Sequence, residues 1–110
     1  MQIINKDNYL LITSEENSFT AFYNALVEEK VNWITQHTIV EISGDLKVNP
    51  KDFSLFLDIA KEKKDLKTSF VVVYKDVDVD EISEETNIVP TLQEAEDLLE
   101  MENIERELGF

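Results

Sequence analysis

Few side chains in this chain could carry out catalysis. His37 is the only histidine, and there is no cysteine. A histidine-dependent hydrolytic site needs a nucleophile and an orienting carboxylate around the imidazole, and Ser43, Ser54 and Ser69 lie in no nucleophile-elbow motif. A zinc site needs several His or Cys ligands. The sequence therefore predicts that the protein is not an enzyme and has no catalytic residues, no metal and no cofactor.

The acidic stretch Asp76-Val-Asp-Val-Asp80 is a second candidate for chemistry. Its carboxylates fit positions 1, 3 and 5 of a calcium-binding loop, but position 6 is Glu81 instead of Gly and position 12 is Asn87 instead of Glu. Strict alternation instead predicts that Val77 and Val79 face inward while the carboxylates face water. We expect no calcium site here.

Length and charge define the class of protein and exclude some partners. The 110 residues suit one domain, residues 1–110, with a formal net charge of −14. Residues 1–75 hold nine Lys and eleven acids, whereas residues 76–110 hold thirteen acids and only one base, Arg106. The negative electrostatic field of such a chain repels phosphate backbones and anionic lipids, so nucleic acid and membranes are not expected as partners.

No apolar run approaches ~20 residues and the N-terminus lacks a secretory pattern, which predicts a soluble cytoplasmic protein. The oligomeric state stays open.

A strand–helix–strand unit forms the centre of the predicted fold. A short apolar strand at residues 38–43 leads through a loop into a helix that Asn49 can cap, with Pro50 at the first helical position. Asp52 adds a carboxylate near the positive end of the helix dipole. A second apolar strand follows at residues 69–74, so the two strands are expected to be parallel neighbours joined by a helical crossover.

The N-terminal part of the chain adds a hairpin and a helix. Two β runs at residues 2–5 and 9–13 flank a short polar turn, which predicts an antiparallel hairpin. A helix capped by Asn17 or Ser18 is expected to run to about Ile34, because apolar residues recur at helical spacing.

The C-terminal part adds a brief strand at residues 87–89 and a last helix, which opens with a capping box between Thr91 and Glu94. Its apolar phase shifts after Leu99, which predicts a bend or a restart near Asn103, and Gly109 with Phe110 fits a Schellman end. The whole chain is predicted to be one α/β domain, with a mixed β-sheet of four to five strands packed with three to four helices.

Two segments resemble STAS domains, the fold of sulfate-transporter tails and anti-sigma-factor antagonists. Glu41-Ile42-Ser43-Gly44 matches the family's Asp-Leu-Ser-Gly at the strand end, and Asn49-Pro50-Lys51-Asp52-Phe53 lies at its Asp-Ser-Ser-Gly-Leu position. Ile88-Val89-Pro90-Thr91-Leu92-Gln93-Glu94-Ala95 is similar to the family's apolar-Pro-[Ser/Thr]-Leu-Glu-Glu-Ala signature. The resemblance implies a regulatory module that binds another protein without catalysis.

The phosphorylation motif is the point at which the chain departs from the family. Signalling members are phosphorylated on a Ser of that motif, and the added charge breaks the complex. The two Ser positions are Pro50 and Lys51 here, and the Gly position is Asp52. The resemblance therefore implies the inherited scaffold without the switch at this place.

The helix after Pro50 predicts where a partner would bind. Its apolar residues Phe53, Phe56, Leu57 and Ala60 form one stripe, which Leu55, Ile59 and Leu66 widen to an arc of roughly 200°. Either neighbouring helices cover this flank or a partner does. The family's binding region favours the partner, on a patch formed with the loop of residues 44–51 and containing Asn49, Lys51, Asp52, Leu55, Ile59 and Leu66. The cations of residues 61–67 are expected to face the negative end of the helix dipole.

Two alternatives remain open. One is a small-ligand or nucleotide-binding STAS-like domain, although no Gly-rich phosphate loop is present. The other follows from the acidic ending Glu-Leu-Gly-Phe, which is similar to a small bacterial group sometimes labelled ribonuclease Z. That activity needs a metal site rich in His and Asp, which a chain with one His does not supply. The label would then point to an accessory protein of a ribonuclease.

Overall fold

The computed structural model describes residues 1–78 and 87–109, and the strands in these ranges form one five-stranded sheet in the order β1-β2-β3-β4-β5. The strands are β1 Gln2–Asn5, β2 Leu10–Thr13, β3 Thr38–Glu41, β4 Phe70–Val73 and β5 Ile88–Val89. β1 pairs antiparallel with β2, and all other neighbours are parallel. The α/β class, the hairpin and the parallel pairing of β3 with β4 are thereby confirmed.

Helices cover both faces of the sheet. They are α1 Phe19–Glu28, α2 Pro50–Phe53, α3 Phe56–Asp65 and α4 Leu92–Glu107. The first three belong to the connections β2–β3 and β3–β4, and their apolar residues share one core cluster on one face. The apolar residues of α4 belong to the cluster on the other face. No helix in the described ranges is long and apolar enough to cross a membrane.

β4 shows how the sheet separates the two cores. Phe70 and Val72 pack on the side of α1 and α3, whereas Val71 and Val73 pack on the side of α4. This alternation follows from the two-residue period of a strand. All four residues are buried, as the continuously apolar run predicts.

The first helix is shorter than the sequence predicts. α1 begins after Ser18, whose Oγ accepts the backbone N–H of Ala21 at 3.1 Å, but it ends at Glu28 instead of near Ile34. A 3₁₀ turn at Lys30–Asn32 then redirects the chain. The turn places the buried Trp33 indole under α1, where its Nε1–H donates to the carbonyl of Leu26 at 3.0 Å. Trp33 is a core residue.

The single helix predicted after Pro50 is instead two helices. Between α2 and α3, the N–H groups of Ser54 and Leu55 donate to the carbonyls of Lys51 and Asp52, three residues back instead of four. The Ser54 hydroxyl also donates to the Lys51 carbonyl at 2.6 Å. Such a tight 3₁₀-type turn and a serine bonded to the backbone both interrupt an α-helix.

The restart predicted in the last helix is wrong, because α4 is continuous from Leu92 to Glu107. The phase shift has a different cause: Met101 and Ile104 face outward, whereas Leu99 is buried. The predicted left-handed glycine is confirmed, since Gly109 has a φ of +83° and its N–H donates to the carbonyl of Arg106. The part of that prediction that concerns residue 110 lies outside the described residues. Val77 packs against the core as predicted, and the positions predicted for residues 79–86 lie outside the described residues.

Candidate functional site

The start of α2 holds three of the residues predicted to bind a partner. The Asp52 carboxylate accepts the backbone N–H of Asn49 at 2.9 Å, and Pro50 occupies the first helical turn. Asp52 is therefore half of a helix cap, and its carboxylate is engaged by the chain itself. Asn49 and Lys51 are exposed, one on each side of Pro50. We use the name loop–helix surface for the exposed residues Asn49, Lys51, Ser54 and Leu55.

Leu55 is the apolar centre of this surface. Its side chain is 43% exposed, although its backbone lies in the tight turn between α2 and α3. The Tyr23 hydroxyl of α1 donates to the Leu55 carbonyl at 3.2 Å, and the Tyr23 ring packs edge-on against Phe56 with centroids 6.1 Å apart. Contacts from a neighbouring helix thus hold the backbone of Leu55, while the side chain points into solvent.

The structure does not bring Ile59 and Leu66 into this surface. Ile59 is 5% exposed and belongs to the core, so its predicted place in an exposed patch is wrong. Leu66 is exposed, but eleven residues separate it from Leu55, which corresponds to about 16 Å along a helix. Between them, Glu62 forms an ion pair with Lys30 at 2.5 Å. Of the predicted patch, only the part near the loop, with Asn49, Lys51 and Leu55, remains as one exposed region.

Lys63 has a role that the sequence analysis missed. Its side chain is fully buried, and its Nζ donates to Thr38 Oγ1 at 3.1 Å and to the carbonyls of Trp33 and Ile34 at 3.4 Å each. The carbonyl of Gln36 is a further acceptor. Burial lowers the pKa of the Lys63 ammonium to about 8. This lysine therefore satisfies the backbone between α1 and β3 from inside the core.

The burial of Lys63 could have been predicted from the helical period. Lys63 follows Phe56 by seven residues and Ile59 by four, so all three lie on one face at 100° per residue. The prediction for the cations of residues 61–67 considered only the dipole at the end of α3. The exposed Lys64, one position further, fits that expectation.

A polar network joins α4 to the amino end of β4. Ser69 is buried and its hydroxyl donates to Glu102 at 2.6 Å, while Arg106 donates to the same hydroxyl. Glu102 also accepts from Asn87 Nδ2 at 3.1 Å and lies 3.5 Å from the Arg106 guanidinium. His37 Nδ1 accepts the backbone N–H of Ser69 at 2.9 Å. The network fixes the C-terminal half of α4 on the sheet.

The side chains of His37 and Ser69 are not hydrogen-bonded to each other in this network. His37 contacts the backbone of Ser69 and not its hydroxyl, so the two side chains do not form the hydrogen bond of a base and its nucleophile. Burial, together with the positive charges of Arg106 and Lys63, holds the pKa of His37 below its usual value, although Glu102 opposes this. A neutral imidazole is the form that accepts the Ser69 N–H.

An open cleft of about 630 Å³ lies where the parallel strands end. At its wall, Ser14 Oγ accepts the Ser43 N–H at 2.8 Å, and the Asp45 N–H donates to Ser43 Oγ at 3.2 Å. Ligands of open α/β sheets bind at this edge, in the crevice where the strand order reverses. The order β2-β3-β4-β5 contains no reversal. The cleft therefore lacks the splayed crevice that usually holds a nucleotide.

No group of three His, Asp or Glu side chains in the described ranges could hold a metal ion. A scan of protein-family models and a search of curated proteins found no match to this chain.

Proposed function

We propose that this protein is a non-catalytic, STAS-like regulatory module of the cytoplasm that binds another protein through the loop–helix surface. The observation that carries the proposal is the 43% exposure of Leu55 on a backbone that Tyr23 holds in place. An exposed apolar side chain close in sequence to the exposed polar residues Asn49 and Lys51 has the composition expected of a small interface centre with a polar rim.

Rigidity of the backbone supports the same proposal. The Asp52–Asn49 cap, the Ser54–Lys51 hydrogen bond and the Tyr23–Leu55 hydrogen bond each fix one part of the surface. A partner would therefore not have to order this segment on binding, and ordering is a main cost of association. The element order and the parallel pairing of β3 and β4 support the STAS-like part of the proposal.

The binding we propose is not controlled by phosphorylation at the family's switch position. Pro50 and Lys51 have no hydroxyl, and the Asp52 carboxylate is engaged in the cap. Intact-mass measurement of protein from its native cells should show no phosphate on residues 43–54. A phosphate mapped to the exposed Ser54 would instead indicate a relocated switch next to Leu55.

A small ligand in the cleft at the carboxyl ends of the strands is the second candidate function. The position of the cleft favours it, while the strand order and the lack of a Gly-rich phosphate loop oppose it. Thermal unfolding with millimolar nucleotides tests it, since a ligand specific for the folded state raises Tm.

A ribonuclease stays among the candidate protein partners of the loop–helix surface. The chain would then be an accessory protein of that enzyme.

A pair of charge insertions tests whether the surface is an interface or part of the packing. Leu55→Glu should change the free energy of unfolding by no more than about 0.5 kcal/mol, because exposed substitutions rarely do more. Ile59→Glu, one turn away, should destabilise by several kcal/mol, because it buries an unpaired charge. Urea unfolding curves of both variants are the measurement. Equal and large destabilisation by both would assign Leu55 to the core and contradict the proposal.

A further inference from the structure

α4 carries a second apolar surface on the side that faces away from the sheet. Met101, Ile104 and Leu108 are 57%, 49% and 67% exposed. Their spacing of three and four residues places them in one line along the helix. At 100° per residue, this line lies roughly 165° from the direction of Ala95 and Leu99, which pack against the sheet. We call Met101, Ile104 and Leu108 the outer stripe.

Carboxylates surround the outer stripe. Asp97 lies one turn before Met101 in the same line, and Glu100 and Glu105 lie on its two sides by helical geometry. α4 contains seven acidic residues, and its one base, Arg106, is turned towards Ser69 and Glu102 of the network. The residues of α4 beside the stripe are therefore acidic, while Lys64 and Lys67 line a cleft with Glu105 on one side.

We propose that the outer stripe binds an amphipathic helix of a partner protein, with apolar residues on one face and Lys or Arg along its edges. The stripe has the i, i+3, i+7 spacing of helix-on-helix seams, and it spans about 10 Å, or two turns. Basic edge residues would lie opposite Glu100 and Glu105, as in the charge pairing beside such seams.

The same charges disfavour other occupants. In a second copy of this chain, Asp97, Glu100 and Glu105 of one α4 would approach the same carboxylates of the other, and like charges across an interface are unfavourable. An anionic lipid surface would be repelled by the net charge of −14. The outer stripe lies on the face of the sheet opposite α1 and α3, so it is separate from the loop–helix surface.

Binding of a designed peptide tests the proposal. The probe is a labelled 21-residue helix-forming peptide with Leu at the a and d positions and Lys at the e and g positions, measured by fluorescence anisotropy at two salt concentrations. A second peptide with Glu in place of Lys is the charge control. We expect the Lys peptide to bind more weakly at high salt, and the Glu peptide to bind at least tenfold more weakly than the Lys peptide.

Variants identify the surface. Ile104→Gln should weaken binding of the Lys peptide at least tenfold, and the double variant Glu100→Gln, Glu105→Gln should reduce its salt dependence. Val31→Gln, at an exposed apolar position after α1, should bind as the unchanged protein does. Leu55→Glu should also leave peptide binding unchanged. A failure of the outer-stripe proposal can therefore be told apart from a failure of the proposal for the loop–helix surface. Circular dichroism melts of all variants verify folding.

Three outcomes would overturn the proposal. One is that the Lys peptide does not bind, or binds Ile104→Gln and the unchanged protein equally. Another is self-association in sedimentation that Ile104→Gln abolishes, because the occupant would then be a second copy. The third is binding to vesicles of phosphatidylcholine and phosphatidylserine that Ile104→Gln abolishes, because the occupant would then be a membrane.

Discussion

The Tyr23 hydroxyl donates a hydrogen bond to the Leu55 carbonyl at 3.2 Å and so ties α1 to the turn between α2 and α3. Seven residues further along the chain in each case, Lys30, in the 3₁₀ turn after α1, pairs with Glu62 of α3. The equal separation means that α1 and α3 run side by side in the same direction, as two helices that each connect parallel strands do. The exposed Leu55 side chain therefore lies at the end of a fixed two-helix seam.

Removing the Tyr23 hydroxyl should loosen that end of the seam. Tyr23→Phe should lower the free energy of unfolding by about 0.5–1.5 kcal/mol, the net contribution of an ordinary hydrogen bond, with the lower end expected because this bond is exposed. It should also weaken partner binding, because Leu55 is no longer pre-positioned. Tyr9→Phe is the matched control, since it removes the hydrogen bond to Glu96 on the α4 face. Partner affinity unchanged by Tyr23→Phe would show that the hydrogen bond does not position the surface.

The buried Lys63 should make stability depend on alkaline pH. Its pKa is lowered from 10.5 to about 8 in the folded state, so between these values the unfolded chain binds more protons. Stability should therefore rise with pH over this range, by at most about 1.4 kcal/mol per pH unit. The difference in unfolding free energy between the protein and Lys63→Met measures it, with the exposed Lys64→Met as control. A difference that is flat from pH 8 to 10.5 would be the contrary result.

His37 should make stability depend on pH in the acidic range. Its pKa lies below the usual 6.5 in the folded state, so its contribution to stability is complete above pH 6.5 and is lost as pH falls through the folded pKa. Protonation at Nδ1 removes the acceptor for the Ser69 N–H. His37→Asn can keep an acceptor without titrating, and it should reduce the loss of Tm between pH 7 and 5. An identical pH profile for both proteins would contradict this role.

The order of elements could be predicted because it follows from local signals. Ser18 and Thr91 cap their helices as the sequence indicates, and the apolar run of β4 is buried on both faces. The break after Phe53 could not be predicted, because it depends on backbone hydrogen bonds three residues back instead of four around Ser54. A wide apolar arc gave no indication of such a turn.

The candidate surface was predicted only in part, for a related reason. Helical periodicity placed Leu55, Ile59 and Leu66 on one flank but carried no information about how α3 packs, which buries Ile59 in the core and leaves Leu55 and Leu66 exposed. The burial of Lys63 could have been predicted from the same periodicity. The prediction for this lysine considered only the helix dipole, although backbone carbonyls can satisfy a buried ammonium.

Quantitative capture from a lysate of the native cells tests the central claim most directly. Three immobilised baits are compared by mass spectrometry: the unchanged protein, Leu55→Glu, and Val31→Glu as a charge insertion at another exposed apolar position. Our account predicts at least one protein that the unchanged bait and Val31→Glu recover equally and that Leu55→Glu recovers at least tenfold less. The same set of proteins at the same yield on all three baits would contradict a partner-binding role for the loop–helix surface.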